Sequence, residues 1–160
     1  MSAIVQLSEH FTLAEATASD TALRLHIDNT NVSPEVLAAT YRTATRMEKV
    51  REVLGCAIHI NSWIRCLALN TAIGSKPSSQ HVKGEAVDFT SADYGTCLEV
   101  AKVLIANKDL LRYDQLILEH TWIHISFCPP IAVPRSEVLS LLATGQYSQG
   151  LTDKEGRPYV

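Results

Sequence analysis

The sequence predicts an α+β domain in which helices pack on a small, mostly antiparallel sheet. One long segment, 34–54, repeats apolar residues every three or four positions, as a helix buried along one face does. Shorter runs at 57–61 and 86–90 instead alternate, as half-buried strands do. Two further apolar runs, 114–119 and 122–127, are separated by only two residues, and so short a gap indicates an antiparallel hairpin.

Length and composition indicate a single globular domain over residues 1–160. Hydrophobic residues make up 46% of the chain and charged residues 19%, which is ordinary for a folded protein. The net charge of -3 argues against a nucleic-acid binder with a broad basic surface. No apolar run approaches the roughly 18 residues that span a bilayer, so we expect no membrane insertion.

The four cysteines and the N-terminus exclude two further classes. The cysteines are widely spaced and form no C-x-x-C pair, which argues against a zinc ribbon, and a domain of this size needs no disulfide framework. We therefore expect four buried thiols. The first ten residues have neither a basic start nor a long apolar segment, so no secretory signal is visible and synthesis in the cytoplasm is expected.

Capping residues set the predicted helix bounds. Thr12 and Glu15 form a capping box at the start of a first helix. Ser33 followed by Pro34 begins the long helix, and Gly55 ends it. Two shorter helices are predicted over 67–73 and 96–106.

Polar, proline-rich and glycine-rich segments predict irregular structure in two places. The stretch 75–81 contains too many helix and strand breakers for regular structure. From Pro129 onward, proline and polar residues dominate, and residues 148–160 are predicted to form a loosely held C-terminal tail.

His81 and Asp88 form the first candidate metal pair. His81 lies on a loop, Gly84 permits a turn, and Asp88 lies in the following strand. An aspartate inside an otherwise apolar strand, here between Val87 and Phe89, is costly unless a cation or a hydrogen-bond donor compensates it. This arrangement favours a metal site.

The predicted hairpin supplies a third ligand. If His120 and Thr121 form a two-residue turn, Glu119 lies opposite Trp122, and His124 lies on the same face. That face would carry Gln115, Ile117, Glu119, Trp122, His124 and Ser126. Two imidazoles and one carboxylate leave the fourth tetrahedral position of zinc open to water, as in hydrolytic sites. Glu119 would accept a proton from that water, or would be an ordinary acid at the end of a hairpin.

Three short blocks together resemble one family. Ser79-x-His81-x-x-Gly84-x-Ala86-x-Asp88, followed by Trp122-x-His124, resembles the metal-binding signature of zinc D-Ala-D-Ala carboxypeptidases and L-Ala-D-Glu peptidase-type phage endolysins. The stretch beginning Asn61-Ser62-x-x-Arg65 is similar to a conserved stretch of the same family. These blocks span about residues 55–128, the expected core of the site. The segment 11–29 also resembles phage and prophage members.

The resemblance implies a fold, a cofactor and a substrate. The fold is the one shared with lysostaphin-type endopeptidases and the hedgehog signalling domain, and the cofactor is one zinc ion (Zn2+). The substrate is the stem peptide of bacterial peptidoglycan. A monomeric phage or prophage endolysin that reaches the periplasm or cell wall after holin-type release is the implied biology.

The resemblance also assigns roles to individual residues. His81, Asp88 and His124 become the zinc ligands, and Arg65 becomes the cation that binds substrate and stabilises the oxyanion. Glu119 becomes the general base. Residues expected to line the cleft and contact substrate are Arg65, Ser79, Gln115, His120 and Trp122.

One position departs from the family pattern. Many relatives carry Asp or Glu three residues before the last histidine, where this chain has Thr121. Glu119 replaces that acid only if the hairpin register places it on the metal face, and His120 offers an alternative group for charge stabilisation. A catalytically inactive, zinc-stabilised binding module of the same fold is therefore the competing hypothesis.

Overall fold

The computed structural model describes residues 4–159, which form helices and a mixed sheet. The helices are α1 (Leu13–Thr17), α2 (Asp20–Arg24), α3 (Pro34–Leu54), α4 (Leu67–Ala72), a 3-10 helix η1 (Gln80–Lys83), α5 (Cys97–Ala106) and α6 (Lys108–Leu111). The strands are β1 (His59–Ser62), β2 (Ala86–Thr90), β3 (Gln115–Leu118), β4 (Ile123–Ser126), β5 (Glu137–Leu141) and β6 (Tyr147–Gln149).

Within residues 4–159, the six strands lie in the order β1-β2-β4-β3-β5-β6. All neighbours are antiparallel except β3 and β5, which are parallel. The predicted α+β class with a mostly antiparallel sheet is therefore confirmed. The predicted hairpin is confirmed as well, because Ile117 lies opposite His124 and the Glu119 N–H donates to the Trp122 carbonyl at 3.1 Å.

The predicted helix caps are present. Thr12 and Glu15 form the capping box of α1, and the Ser33 hydroxyl accepts from the N–H of Val36 at the start of α3. Gly55 ends α3 with a left-handed φ of 66°. Thr96 caps α5 in the same way as Thr12 caps α1.

Alternation along the central strands separates the core from the site. One face of β2, β4 and β3 packs into the hydrophobic core with residues of α3 and α5, and its side chains are Val87, Phe89, Ile123, Ile125, Leu116 and Leu118. The opposite face of the same strands carries Asp88, His124 and Ile117, which lie in one cross-strand row. Because successive side chains of a strand point to opposite faces, burying the apolar set directs the polar set to the other side of the sheet.

The C-terminal region differs from the predicted loose tail. Residues 137–141 and 147–149 form β5 and β6, and Thr152 is buried with its N–H donating to the Ser140 hydroxyl at 2.9 Å. The sequence pattern missed these strands because β5 pairs in parallel with β3, which is distant along the chain, and β6 is short and polar. Val160, the end of the predicted tail, lies outside the described residues.

Three smaller differences concern local structure. β1 begins at His59 rather than at 57, and α4 ends at Ala72. The predicted irregular stretch 75–81 ends inside η1. The four cysteines are half-buried rather than fully buried, and all are free thiols.

None of the helices between residues 4 and 159 has the length and apolarity that crossing a lipid bilayer requires.

Candidate metal centre

Three side chains from separate elements meet on the polar face of the sheet. His81 comes from η1, Asp88 from β2, and His124 from β4, where it lies directly opposite Asp88. His81 Nε2 lies 3.2 Å from both Asp88 Oδ1 and His124 Nδ1, and His124 Nδ1 lies 2.8 Å from Asp88 Oδ1. We call this buried group the His-Asp-His centre.

The spacing of these atoms fits a tetrahedral metal ion. Zinc binds nitrogen and oxygen ligands at about 2.0–2.1 Å, which places neighbouring tetrahedral ligand atoms roughly 3.3 Å apart. The observed separations of 2.8–3.2 Å are close to that value. A single ion could therefore contact all three atoms.

The segment 63–65 orients His81. The His81 Nδ1–H donates to the Trp63 carbonyl oxygen at 2.7 Å, since a carbonyl can only accept, and Nε2 is left with its lone pair toward Asp88. The Trp63 indole N–H donates to the Gly84 carbonyl oxygen at 3.2 Å. The backbone N–H of Arg65 donates to the His81 carbonyl oxygen at 3.2 Å. Fully buried Trp63 thus holds η1 against the segment after β1. Nothing in the local sequence pattern indicated this role.

The charge states that the site favours are those of metal ligands. Burial lowers the pKa of His81 below its usual value, which keeps the imidazole neutral. Burial alone would raise the pKa of Asp88, but the neighbouring His81 and His124 imidazoles outweigh it. The pKa of Asp88 therefore lies well below its usual range, and the carboxyl is ionised.

Arg65 is bound to the Asp88 carboxylate. Its Nη2 donates to Asp88 Oδ2 at 2.6 Å, and its Nε donates to the Ser62 hydroxyl at 2.9 Å. One carboxylate oxygen thus faces the two imidazoles while the other accepts from the guanidinium. Asn29 fixes the backbone on both sides of Arg65, because its side chain donates to the Ile64 carbonyl and accepts from the Cys66 N–H.

The His-Asp-His centre lies in an open cleft of about 720 Å³, which Glu119 also lines. Burial raises the pKa of the Glu119 carboxyl above its usual value, and the nearby Asp88 carboxylate raises it further. The cleft therefore combines candidate metal ligands, a carboxyl whose pKa is raised, and a guanidinium donor.

Comparison with known families identifies the class of protein that carries this centre. The family model described as Peptidase M15 matches residues 9–126, roughly three quarters of the chain and all three residues of the centre. The chain belongs to the Peptidase M15 family. Peptidases of this family depend on zinc, in agreement with the donor set. A search of curated proteins found no match.

The other sequence-predicted residues of this M15 peptidase divide into two groups. Ser79, Gln115 and Trp122 line the cleft beside the His-Asp-His centre. His120 does not line it: its Nε2 lies 3.0 Å from the Leu141 carbonyl oxygen, at the turn of the hairpin, where φ is 65°. The structure thus places His120 beside β5. Ser126, also predicted on the metal face, is fully buried.

Sequence reasoning missed the outer wall of the cleft. β5, β6 and the segment before them contribute Leu139, Tyr147 and Arg135. These residues lie beyond the family match. No local motif marks them, because parallel pairing of β5 with β3 is what brings them to the site of this M15 peptidase.

Proposed function

We propose that this M15 peptidase is a zinc enzyme that hydrolyses a peptide bond in the stem peptides of bacterial peptidoglycan. One observation carries the proposal: the buried His-Asp-His centre opens into the same cleft as the Glu119 carboxyl and the Arg65 guanidinium. These are the groups that metal-assisted peptide hydrolysis requires.

His81, Asp88 and His124 would hold the ion through the atoms that now face one another. A bound zinc ion supplies Lewis acidity, which polarises a carbonyl and makes water more acidic. Glu119 accepts the proton of the attacking water and delivers it to the leaving amine. Its raised pKa suits both steps, because a carboxyl of ordinary acidity is a weaker base.

Arg65 contributes charge at the reacting carbonyl. Its Nε and Nη2 are committed to Ser62 and Asp88, whereas no residue in the range 4–159 accepts from Nη1. Nη1 therefore donates to the developing oxyanion or to a carboxylate of the substrate. Free carboxylates are abundant in peptidoglycan stem peptides, which supports such a substrate.

The biological setting is proposed from resemblance. The segment 11–29 is similar to that of phage and prophage members, which supports an endolysin. We propose that the enzyme acts as a monomer and meets its substrate in the periplasm or cell wall after holin-type release.

Digestion of purified peptidoglycan tests the proposal. The zinc-loaded chain should lower the turbidity of purified sacculi and release fragments whose masses identify one cleaved peptide bond. A chelator should abolish the reaction, and added zinc should restore it. Glu119→Gln is the matched variant: it should retain zinc while turnover falls by about 100-fold or more, because only the proton acceptor is lost.

Two results would contradict the proposal. A zinc-loaded chain that binds sacculi without releasing fragments would indicate the inactive binding module. Full activity of Glu119→Gln would exclude Glu119 as the base. Elemental analysis of the same samples separates loss of catalysis from loss of metal.

A further inference from the structure

Tyr147 lies on the last strand of the sheet, yet it shares a face with the candidate catalytic groups. The register pairs Asp88 with His124, His124 with Ile117, and Ile117 with Leu139 across four neighbouring strands. One pleat further along the same face, β6 pairs Tyr147 with Leu141. If the parallel pairing of β3 with β5 is continued by one residue, Leu141 lies beside Glu119. Tyr147, the partner of Leu141, therefore lies in the same cross-strand row as Glu119.

The Tyr147 side chain stands in the cleft rather than in the core. The residue is 53% exposed and lines the same cleft as Glu119 and His124. Its phenol oxygen makes no hydrogen bond to any residue between 4 and 159. Partial burial raises the pKa of this phenol, and the neighbouring Glu119 and Asp88 carboxylates raise it further, so the hydroxyl keeps its proton. Tyr147 therefore presents a free donor to the cleft.

Arg65 and Tyr147 flank the His-Asp-His centre from opposite ends of the sheet. Arg65 follows β1 at one edge, whereas Tyr147 belongs to β6 at the other. A peptide that crosses the centre in an extended conformation meets the guanidinium on one side of the reacting bond and the phenol on the other. Its backbone carbonyls are acceptors that a phenol can satisfy.

We propose that Tyr147 is a substrate-binding residue of this peptidase, whose hydroxyl donates to the peptide on the side of the reacting bond away from Arg65. β5 and β6, which lie beyond the family match, then form a specificity-determining wall of the cleft. The proposal rests on the function proposed above. It goes beyond that function because it assigns a second binding position to a strand outside the shared core.

Tyr147→Phe and Tyr147→Ala separate the hydroxyl from the ring. One neutral hydrogen bond corresponds to roughly a 3- to 10-fold change in affinity, so Tyr147→Phe should raise KM for a muramoyl pentapeptide by about that factor. Its kcat should stay within about twofold of wild type, because the phenol touches the peptide away from the reacting atoms. Tyr147→Ala should raise KM further, since ring contacts are lost as well. Tyr94→Phe, at a partly exposed tyrosine outside the cleft, is the control.

A measurement of Kd tests the contact with Tyr147 independently of turnover. Calorimetric titration of the same pentapeptide into zinc-loaded Glu119→Gln, and into the double variant with Tyr147→Phe, should show a Kd weakened by the same factor as KM. Circular dichroism and zinc content should match wild type in every variant. An active wild-type enzyme whose KM and Kd are unchanged by both Tyr147 variants would overturn this inference alone. A wild-type chain that neither binds nor cleaves the pentapeptide would overturn the proposed function together with it.

Discussion

At the scale of single residues, Arg65 links the substrate side of the cleft to the metal side. Its Nη2 lies 2.6 Å from Asp88 Oδ2, so the cation that would bind substrate also orients a candidate ligand. Partners that hydrogen-bond to ligands fix their orientation, and their loss typically weakens metal binding about 10- to 100-fold. Arg65 is thus expected to affect both turnover and zinc affinity.

Arg65→Ala should lower both turnover and zinc affinity. Loss of an oxyanion donor commonly costs about 100- to 1,000-fold in kcat, and zinc affinity should fall by about 10-fold or more. Arg65→Lys keeps the charge but cannot contact Ser62 and Asp88 together, so it should recover only part of each loss. Zinc titration against a competing chelator, together with kcat at saturating zinc, measures both effects. Unchanged zinc affinity in Arg65→Ala would show that the contact with Asp88 is dispensable.

The residues of the centre were predictable because their signals are local. Asp88 interrupts an apolar strand, and His124 follows a two-residue turn that fixes its face. Tyr147 and Trp63 were not predictable in this way. Tyr147 depends on pairing between distant strands, and Trp63 orients His81 through its backbone carbonyl, which any residue type possesses.

At the scale of elements, η1 reaches its position by packing closely on α3. Gly84 ends η1 with a φ of 73°, in the left-handed region that disfavours side chains. A Cβ at this glycine would lie 2.5 Å from Thr40 Oγ1 and 2.9 Å from the Val36 carbonyl oxygen. The missing side chain therefore allows the helix that carries His81 to approach α3.

Gly84→Ala should lower the free energy of unfolding by about 2–4 kcal/mol, from the left-handed conformation and the steric overlap together. Gly55→Ala is the matched control: its φ is 66°, but a Cβ there meets nothing within 4 Å, so about 1 kcal/mol is expected. Urea denaturation measures both. Equal losses in the two variants would show that contact with α3 imposes no additional cost.

Asp114 joins β5 to the rest of the site. Its carboxylate accepts from the Arg135 guanidinium and N–H and from the Gln80 side chain, and its carbonyl accepts from the Glu137 N–H. Burial alone would raise the pKa of Asp114, but the Arg135 hydrogen bonds outweigh it, and the pKa lies below its usual value. This carboxylate thus holds the outer wall of the cleft in place.

Asp114→Asn should destabilise the protein at neutral pH and much less in acid. Because the pKa of Asp114 is lower in the folded chain, its ionised form stabilises the fold above the unfolded pKa of about 3.9. That contribution disappears as the pH falls through the folded pKa. Urea denaturation at pH 7 should show a loss of about 1–3 kcal/mol in the variant. The same loss at pH 2.5 would contradict the assignment.

The helices α1, α3, α4 and α5 and the central strands could be predicted from sequence, whereas the short helices α2 and α6 and the strands β5 and β6 could not. Caps and apolar periodicity are local signals, and they located α1, α3, α5, β2 and the hairpin to within a few residues. β5 and β6 bury few side chains completely, and their pairing depends on a parallel contact with β3. Their composition therefore resembles that of a tail.

At the scale of the whole molecule, the His-Asp-His centre joins parts of the chain that are distant in sequence. His81 rests on the segment after β1, Asp88 lies on β2, and His124 lies in the hairpin. Without a cation, three buried groups rich in hydrogen-bond acceptors lie 2.8–3.2 Å apart. The hydrogen bonds that they can share offset only part of the cost of burying them. An ion bound only by the folded chain should therefore stabilise the whole domain.

Zinc should raise the unfolding temperature by about 10 °C. Free zinc at about 1,000 times its Kd contributes roughly 4 kcal/mol, and a domain of this size gains about 2–4 °C per kcal/mol. Differential scanning calorimetry of chelator-treated protein, with and without added zinc, measures the shift. His81→Ala should abolish the shift, whereas His59→Ala, at an exposed histidine on β1, should preserve it. A shift that survives in His81→Ala would place the stabilising ion somewhere other than the His-Asp-His centre.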